Sequence, residues 1–278
     1  MAVEHISPVK HMFDTIQMLV RRARRTAAGN AIDTSVFIPH VPKCGGTSIK
    51  NALAEAYGLR AGIQIDLRGN IHHDAFSMLD PFASKKAADQ LGVPLHVHRE
   101  HVLLHLMGLP NRKLISGHFH FSEAAYREYY SRYTFVTLIR DPVERWYSQY
   151  FYNRDKKGTH FAVEDALEEY VCSPTGRSTG SSIAQYFAGS DCGAERIVEC
   201  AITNLGRFDV VGVLEELNVF KRELKHALGA NINIPIRNTS PTPADQKRRE
   251  ITPEIHRKVV ELCKPDREVY DYVVKELK

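Results

Sequence analysis

Cysteine, tryptophan and long apolar runs are scarce in this sequence of 278 residues. Its five cysteines include no pair separated by two residues, which excludes a zinc ribbon and a redox-active dithiol, and we expect them to be reduced. No apolar run approaches the roughly 20 residues of a transmembrane helix. We also expect no signal peptide, because its basic residues would precede the apolar stretch, whereas Arg21 follows Met18–Val20. The sequence therefore predicts a cytoplasmic protein.

The basic excess is small and local. The chain has 37 lysines and arginines against 33 acidic residues, a net charge of +4, and most of that excess lies within residues 1–30. A nucleic-acid-binding domain carries a broader basic surface, so we expect no nucleic-acid partner. Residues 1–30 also space their apolar side chains as a basic amphipathic helix does. Two interpretations stay open: the helix docks on the rest of the chain, or it makes peripheral contact with a membrane.

Strand and helix patterns alternate from residue 31 onward. Such alternation is typical of α/β domains, in which helices flank a central parallel sheet. We therefore expect residues 31–278 to form a single α/β domain. The predicted strands are Ser35–Ile38, Lys113–Ser116, Tyr133–Ile139 and Phe208–Val213, and the clearest predicted helices are Ser48–Tyr57, Thr252–Cys263 and Asp266–Leu277.

The turn between the first strand and the first helix is the strongest candidate for chemistry. Gly45 and Gly46 allow backbone N–H groups to approach an anion, and Thr47 and Ser48 begin a helix whose N-terminus favours negative charge. Lys43 adds a mobile positive charge, but its place before the glycines differs from a Walker A loop and leaves no residue to hold magnesium. The pattern predicts a P-loop-like phosphate site. The alternative is a plain glycine-rich turn.

A second candidate begins where the strand Tyr133–Ile139 ends. Arg140 there would direct its guanidinium at the carboxyl edge of the sheet, where α/β folds bind ligands. Ser148 lies eight residues further along, about two turns into the next helix, and can offer a hydroxyl to the same anion. The alternative is a surface ion pair between Arg140 and Asp141 or Glu144.

Together the two segments resemble the nucleotide-binding motifs of sulfotransferases that use 3′-phosphoadenosine 5′-phosphosulfate (PAPS). In that family a strand–loop–helix of the pattern Pro-Lys-x-Gly-Gly-Thr-Ser holds the 5′-phosphosulfate, and a later Arg-Asp-Pro with a serine eight residues downstream holds the 3′-phosphate. The resemblance implies PAPS as the cosubstrate, adenosine 3′,5′-bisphosphate (PAP) as its product, and no metal ion. The matching positions are Lys43, Cys44, Gly45, Gly46, Thr47 and Ser48 in the first motif and Arg140 and Ser148 in the second.

The resemblance is closest to the carbohydrate-modifying branch of the family, which includes the heparan 2-O-sulfotransferases. In that branch a Gly-His pair ends a strand between the two motifs, and its histidine is the general base. Gly117 and His118 match this pair. Asn238 and Ser240 resemble the family's Asn-x-Ser loop near the cofactor.

The sequence therefore predicts an enzyme that transfers a sulfuryl group from PAPS to a hydroxyl of a carbohydrate or another small acceptor. His118 would deprotonate the acceptor and Lys43 would neutralise the leaving nucleotide; His120 shares a strand face with His118 and could also point to the ligand. Two alternatives stay open, namely a P-loop-type kinase or nucleotidase and a noncatalytic nucleotide-binding or membrane-surface module. His101 and His105 could share a helix face, but no acidic or cysteine partner follows, so we expect no metal site.

Overall fold

The structure is a computed structural model that describes most of the chain. The described residues are 20, 23–24, 26–28, 31–58, 64–65, 71–72, 76–156, 161–190, 192–235 and 242–276. Most of the predicted N-terminal helix, together with Asn238 and Ser240, lies outside the described residues. Membrane contact through residues 1–30 stays a prediction.

A central sheet of parallel strands organises the fold. The strands are β1 Ser35–Pro39, β2 Gln64–Ile65, β3 Ile71–His72, β4 Phe76–Met78, β5 Leu114–Gly117, β6 Tyr133–Ile139 and β7 Val210–Val213. Five of them form the sheet in the order β4-β5-β1-β6-β7, all parallel, while β2 and β3 form a separate antiparallel pair. The four predicted strands and the single α/β domain are confirmed, and β4 is an additional edge strand.

Helices cover both faces of this sheet. In chain order they are α1 Gly46–Ala56, α2 Pro81–Leu91, α3 Leu95–Gly108, α4 Glu123–Tyr129, α5 Pro142–Arg154, α6 Leu167–Tyr170, α7 Pro174–Thr179, α8 Ser182–Ala188, α9 Ile197–Leu205, α10 Leu217–Leu228, α11 Ala244–Glu250, α12 Pro253–Leu262 and α13 Lys264–Glu276. Short 3₁₀ turns at Ala194–Arg196 and Leu214–Glu216 precede α9 and α10.

The core lies on both sides of β1, whose successive side chains point to opposite faces. Val36 and Ile38 pack with Leu53 of α1 and Phe220 of α10 on one side. Phe37 belongs to the cluster on the other side, which also contains residues of α8, α9 and α13. Burial on both faces explains why the strand reads as a continuous apolar run.

Two further observations concern the cysteines and the bilayer. The prediction of reduced cysteines is wrong for Cys192 and Cys200, which form a disulfide, whereas Cys44, Cys172 and Cys263 are free. In the described part of the chain, no helix is long and apolar enough to cross a membrane. A cytoplasmic location stays a prediction.

Candidate active site

Three predicted site residues follow three neighbouring strands. Because β5, β1 and β6 are adjacent and parallel, their carboxyl ends meet at one edge of the sheet. His118, Lys43 and Arg140 follow those strands in turn and line one cavity of about 1450 Å³. The cavity lies where open α/β sheets bind their ligands.

The turn from β1 to α1 forms one wall of this cavity. Lys43 and Gly45 both have left-handed backbones, with φ angles of 71° and 81°, so the chain turns sharply before α1 begins at Gly46. No side chain caps α1, and although the N–H of Ser48 donates to the carbonyl of Gly45 at 3.0 Å, the N–H groups of Gly46 and Thr47 are left available to an anion. Thr47 and Ser48 also line the cavity.

Position 46 must be glycine because the ring of His40 lies against it. A Cβ atom added there would lie 2.1 Å from the Cδ2 atom of the His40 ring, far inside van der Waals contact. The imidazole of His40 therefore occupies the space that a larger residue would fill.

Cys44 is the one member of this predicted turn that is turned away from the cavity. Its side chain is fully buried in the core cluster that contains Phe37. Burial raises the pKa of its thiol to about 12. Its N–H donates to the carbonyl of Val41 at 3.3 Å. The structure thus gives Cys44 a packing position and an internal hydrogen bond.

Positive charge accumulates in the cavity around Lys43. Burial, together with the nearby charges of Arg140, Lys156 and Lys247, lowers the pKa of Lys43 to about 8. The Lys43 ammonium lies 3.7 Å from the centre of the Tyr152 ring. Four cations converging on one cavity, with no ion pair to Lys43 among the described residues, favour a polyanionic ligand.

Arg140 is held at the edge of the sheet by the start of α5. Asp141 caps this helix, accepting hydrogen bonds from the N–H groups of Val143 and Glu144 at 3.0 Å each. Asp141 also pairs with Arg267 at 2.5 Å, and among the described residues the one ion pair of Arg140 is a 3.4 Å contact with the exposed carboxylate of Glu144. That contact is a weak restraint on Arg140.

Ser148 lies two turns along α5 and lines the same cavity as Arg140. The structure therefore brings the two predicted motifs to one site. Both members of the second motif face the space into which the first motif points.

His118 is oriented by two backbone contacts. Its Nδ1 atom lies 2.9 Å from the carbonyl oxygen of His40, and its own carbonyl accepts a hydrogen bond from Arg99 at 3.0 Å. Only 5% of Arg99 is exposed, and it also donates to Ser84 at 3.3 Å, so the support is rigid. A carbonyl oxygen can only accept a hydrogen bond, so the Nδ1 atom of His118 must carry the proton. In the neutral ring the Nε2 atom then keeps its lone pair.

The charge state of His118 follows from its surroundings. Its pKa is lowered to about 4, mainly by burial and in part by the cations Arg99 and Lys156, while the hydrogen bond to the His40 carbonyl acts in the opposite direction. His118 is therefore neutral near neutral pH, the form that can accept a proton.

His120 also lines the cavity. Its ring packs on Tyr186 at 4.3 Å and on His96 at 5.8 Å between ring centres, and burial lowers its pKa to about 4. His118 and His120 thus both line the cavity as predicted, but the predicted shared strand face is wrong, because β5 ends at Gly117 and both histidines lie beyond it.

The structure does not bring every candidate into this site. His101 and His105 lie exposed on α3 and do not line the cavity. Among the described residues, no three histidine, cysteine or acidic side chains are grouped so that they could hold a metal ion.

Sequence reasoning missed several residues of the cavity wall. His40 and Lys156 immediately follow elements that were partly recognised, whereas Arg99, Tyr186 and Lys247 come from distant helices. The one local signal for a site residue was that His40 lies two residues before Pro42, at the start of the predicted phosphate turn. No local pattern marks the other four residues.

Comparison with known proteins gives one family. A family sequence model described as "Sulfotransferase family" matches residues 31–175, about half of the chain. No curated protein matches the chain.

Two solved structures resemble the fold at low identity. A sulfotransferase from Alicyclobacillus acidocaldarius is 14% identical, with a TM-score of 0.46 over 88% of this chain and 97% of that chain. The mouse sulfotransferase SULT7A1 complexed with PAP is 13% identical, with a TM-score of 0.42 over 92% of this chain and 94% of that chain.

Proposed function

Because the chain belongs to the sulfotransferase family, we propose that it transfers a sulfuryl group from PAPS to a hydroxyl of a carbohydrate acceptor. The observation that carries this proposal is the convergence of Lys43, Arg140 and His118 on one cavity. Each follows a different strand, and each supplies a group that the reaction needs.

The phosphate groups of PAPS fit the two cationic parts of this cavity. The segment from Gly45 to Ser48 suits the 5′-phosphosulfate, because no side chain caps α1 and the N–H groups of Gly46 and Thr47, together with the helix dipole, favour an anion. Arg140 and Ser148 suit the 3′-phosphate, since a guanidinium binds phosphate with two parallel hydrogen bonds. Asn238 and Ser240 belong to this proposal through the sequence motif alone.

The transfer itself is a displacement at sulfur. The acceptor oxygen forms a new S–O bond while the bond between sulfur and the bridging oxygen of the 5′-phosphate breaks, which releases PAP. Lys43 neutralises the charge that develops on the leaving oxygen, and its cation is available because no acidic residue among those described pairs with it. A sulfate ester carries one negative charge fewer than a phosphate, so lysine can do what magnesium does in kinases.

His118 takes the proton of the acceptor hydroxyl. Its Nδ1–H donates to the carbonyl of His40, which leaves Nε2 as the proton acceptor. The imidazolium that forms lies in a cavity that also holds the anionic groups of PAPS, and those charges favour it. The low pKa of the free ring therefore rises toward a useful value when the donor is bound.

The remaining wall of the cavity suits a sugar. Aromatic rings and imidazoles line this end, and they offer flat apolar faces with polar edges to the C–H and hydroxyl groups of a carbohydrate. The place of His118 after Gly117 supports the carbohydrate-modifying branch of the family. The residues of this end include Phe82, Leu95, His96, His120 and Tyr186.

Ligand-dependent stability tests the donor site. PAP at about 100 times its Kd should raise the free energy of unfolding by about 2.7 kcal/mol. AMP at the same concentration should stabilise less, because it lacks the 3′-phosphate, and ATP with magnesium should also stabilise less. Stronger stabilisation by ATP with magnesium would contradict the proposal and favour the kinase alternative.

A further inference from the structure

His40 contacts His118 through both its main chain and its side chain. The main chain of His40 accepts the Nδ1–H of His118 at 2.9 Å, and the two imidazole rings lie 4.6 Å apart between centres. One residue thus fixes the base in two ways, through its carbonyl and through its ring.

The ring of His40 is itself held in place. It lies against the backbone of Gly46 at the start of α1, where any Cβ atom would collide with it. The Nδ1 atom of the ring lies 3.5 Å from the Ser116 hydroxyl, and the backbone N–H of His40 donates to the carbonyl of Gly117 at 3.0 Å. The imidazole therefore fills the space between the phosphate turn and the base.

From these contacts we propose that His40 is a positioning residue, whose tilted ring packs against the ring of His118, shields it from water and keeps that base oriented. The carbonyl of His40 would remain after any substitution, so the effect of the ring can be measured by itself. For its kinetic consequence this inference rests on the proposed sulfuryl transfer.

The charges around His118 define what removal of the ring would do. Burial is the main cause of its low pKa, and the cations facing it add to the effect. Without the His40 ring, water reaches the side of His118 that this ring packs against, so the desolvation that lowers the pKa of His118 diminishes. The pKa then rises from about 4 toward the ordinary value of about 6.5. The groups that face His118 are His40 after β1, Lys50 on α1, Arg99 on α3 and Lys156 after α5.

A side-chain NMR titration of the histidines tests the proposal without any turnover. The signal of His118 is identified by its loss in His118→Gln and followed between acidic and neutral pH. Wild type should keep a neutral Nδ1–H ring down to a pH of about 4. His40→Ala and His40→Asn both remove the ring. In these two variants His118 should become protonated at a proton concentration at least tenfold lower than in wild type. His40→Phe keeps an uncharged ring and should behave as wild type.

Kinetics give the second measurement. If the pKa of His118 rises fully to 6.5 in the ringless variants, their kcat/KM at pH 5 should fall up to about 30-fold below wild type, with a much smaller difference at pH 8. PAP affinity should stay within about twofold of wild type, since the substitution leaves Lys43, Arg140 and Ser148 of the cavity unchanged.

Two outcomes would overturn the role of His40. One is that His118 titrates in both ringless variants as in wild type. The other is that His40→Phe raises the pKa as much as His40→Ala does. The proposed function can fail independently of this role. If wild type transfers no sulfuryl group, the proposed function is wrong, and the titration of His118 in the variants still decides the role of His40.

Discussion

The ammonium of Lys43 lies 3.7 Å from the centre of the Tyr152 ring, and the ammonium of Lys156 lies 4.7 Å from the same ring. An aromatic face attracts a cation without neutralising it, and contributes only about 0.5–2 kcal/mol. Tyr152 therefore keeps two positive charges inside the cavity and leaves both available to an anion.

The pH dependence of PAPS use should report the charge of Lys43. Burial and neighbouring cations lower its pKa to about 8, so the free enzyme loses this charge as the pH rises through that value. We expect kcat/KM for PAPS to fall above a pH of about 8. In Lys43→Arg this alkaline decrease should disappear, because a guanidinium stays charged.

The control is Lys156→Arg, which changes a lysine in the same cavity and should retain the alkaline decrease. An identical pH profile in wild type and Lys43→Arg would show that another group titrates. Lys43→Met should lower kcat on the order of 10²–10³-fold at neutral pH, as expected when one group that stabilises developing charge is removed.

Arg140→Ala should separate two ligands that differ by one phosphate. We expect the affinity for PAP to fall about 10- to 150-fold, which corresponds to a charge-assisted contact of roughly 1.5–3 kcal/mol, while the affinity for AMP changes little. Calorimetric titration of both ligands gives the two values. Glu144→Gln is the matched variant, because it removes the competing carboxylate 3.4 Å from Arg140 and should leave PAP binding equal or tighter. Equal weakening of PAP and AMP would make Arg140 a structural residue.

His118→Ala should remove the base and spare the donor site. General-base removal costs about 10²–10⁴ in rate, so kcat should fall by that factor while PAP affinity stays within about twofold. His120→Ala should lose much less activity, and the exposed His105→Ala should lose none. A dead His120→Ala beside a fully active His118→Ala would move the base to His120 and leave the fold unaffected.

A buried ion pair lies against the start of α8. Asp266 lies 3.7 Å from Arg145, both fully buried, and its carboxylate accepts the N–H groups of Ile183 and Ala184 at the start of α8. That helix carries Tyr186 into the cavity.

Removing one partner of this pair should leave a buried charge without compensation. We expect Asp266→Ala to lower the free energy of unfolding by about 3–5 kcal/mol in urea melts. Asp271→Ala, which breaks an exposed contact with Arg267 on the same helix, should cost less than about 1 kcal/mol. Similar losses in both variants would show that the buried pair does not stabilise the docking of α8.

The sheet was predictable where its strands are long and buried. β6, Tyr133–Ile139, has the predicted bounds, because its seven residues are apolar or β-branched throughout and a charged residue follows. β4, Phe76–Met78, was missed because three residues at the sheet edge are too few to show a period. The bounds of α2 and α3, the two helices that follow β4, were also not predicted. In α3 the histidines are spread around the helix, so it has little apolar face to indicate a helical period.

The site was predictable only in its local parts. Lys43 and Arg140 stand beside strand ends in motifs of contiguous residues, so their meeting followed from the order of a parallel sheet. Lys247 reaches the cavity from α11, over 100 residues further along the chain than Arg140, and no local pattern indicates that approach. Cys44 shows the opposite limit: it stands inside the motif, but its side chain belongs to the core, because neighbouring residues of a turn point in different directions.

The most direct test of the proposed function is transfer of labelled sulfur from PAPS to carbohydrate acceptors by wild type and by His118→Ala. Wild type should form a labelled sulfate ester and equimolar PAP, and excess chelator should not slow it, because Lys43 supplies the charge needed at the leaving oxygen. His118→Ala should bind PAP normally and form product about 10²–10⁴ times more slowly. Absence of any labelled product across neutral and acidic sugars, together with phosphate transfer from ATP that requires magnesium, would contradict the account.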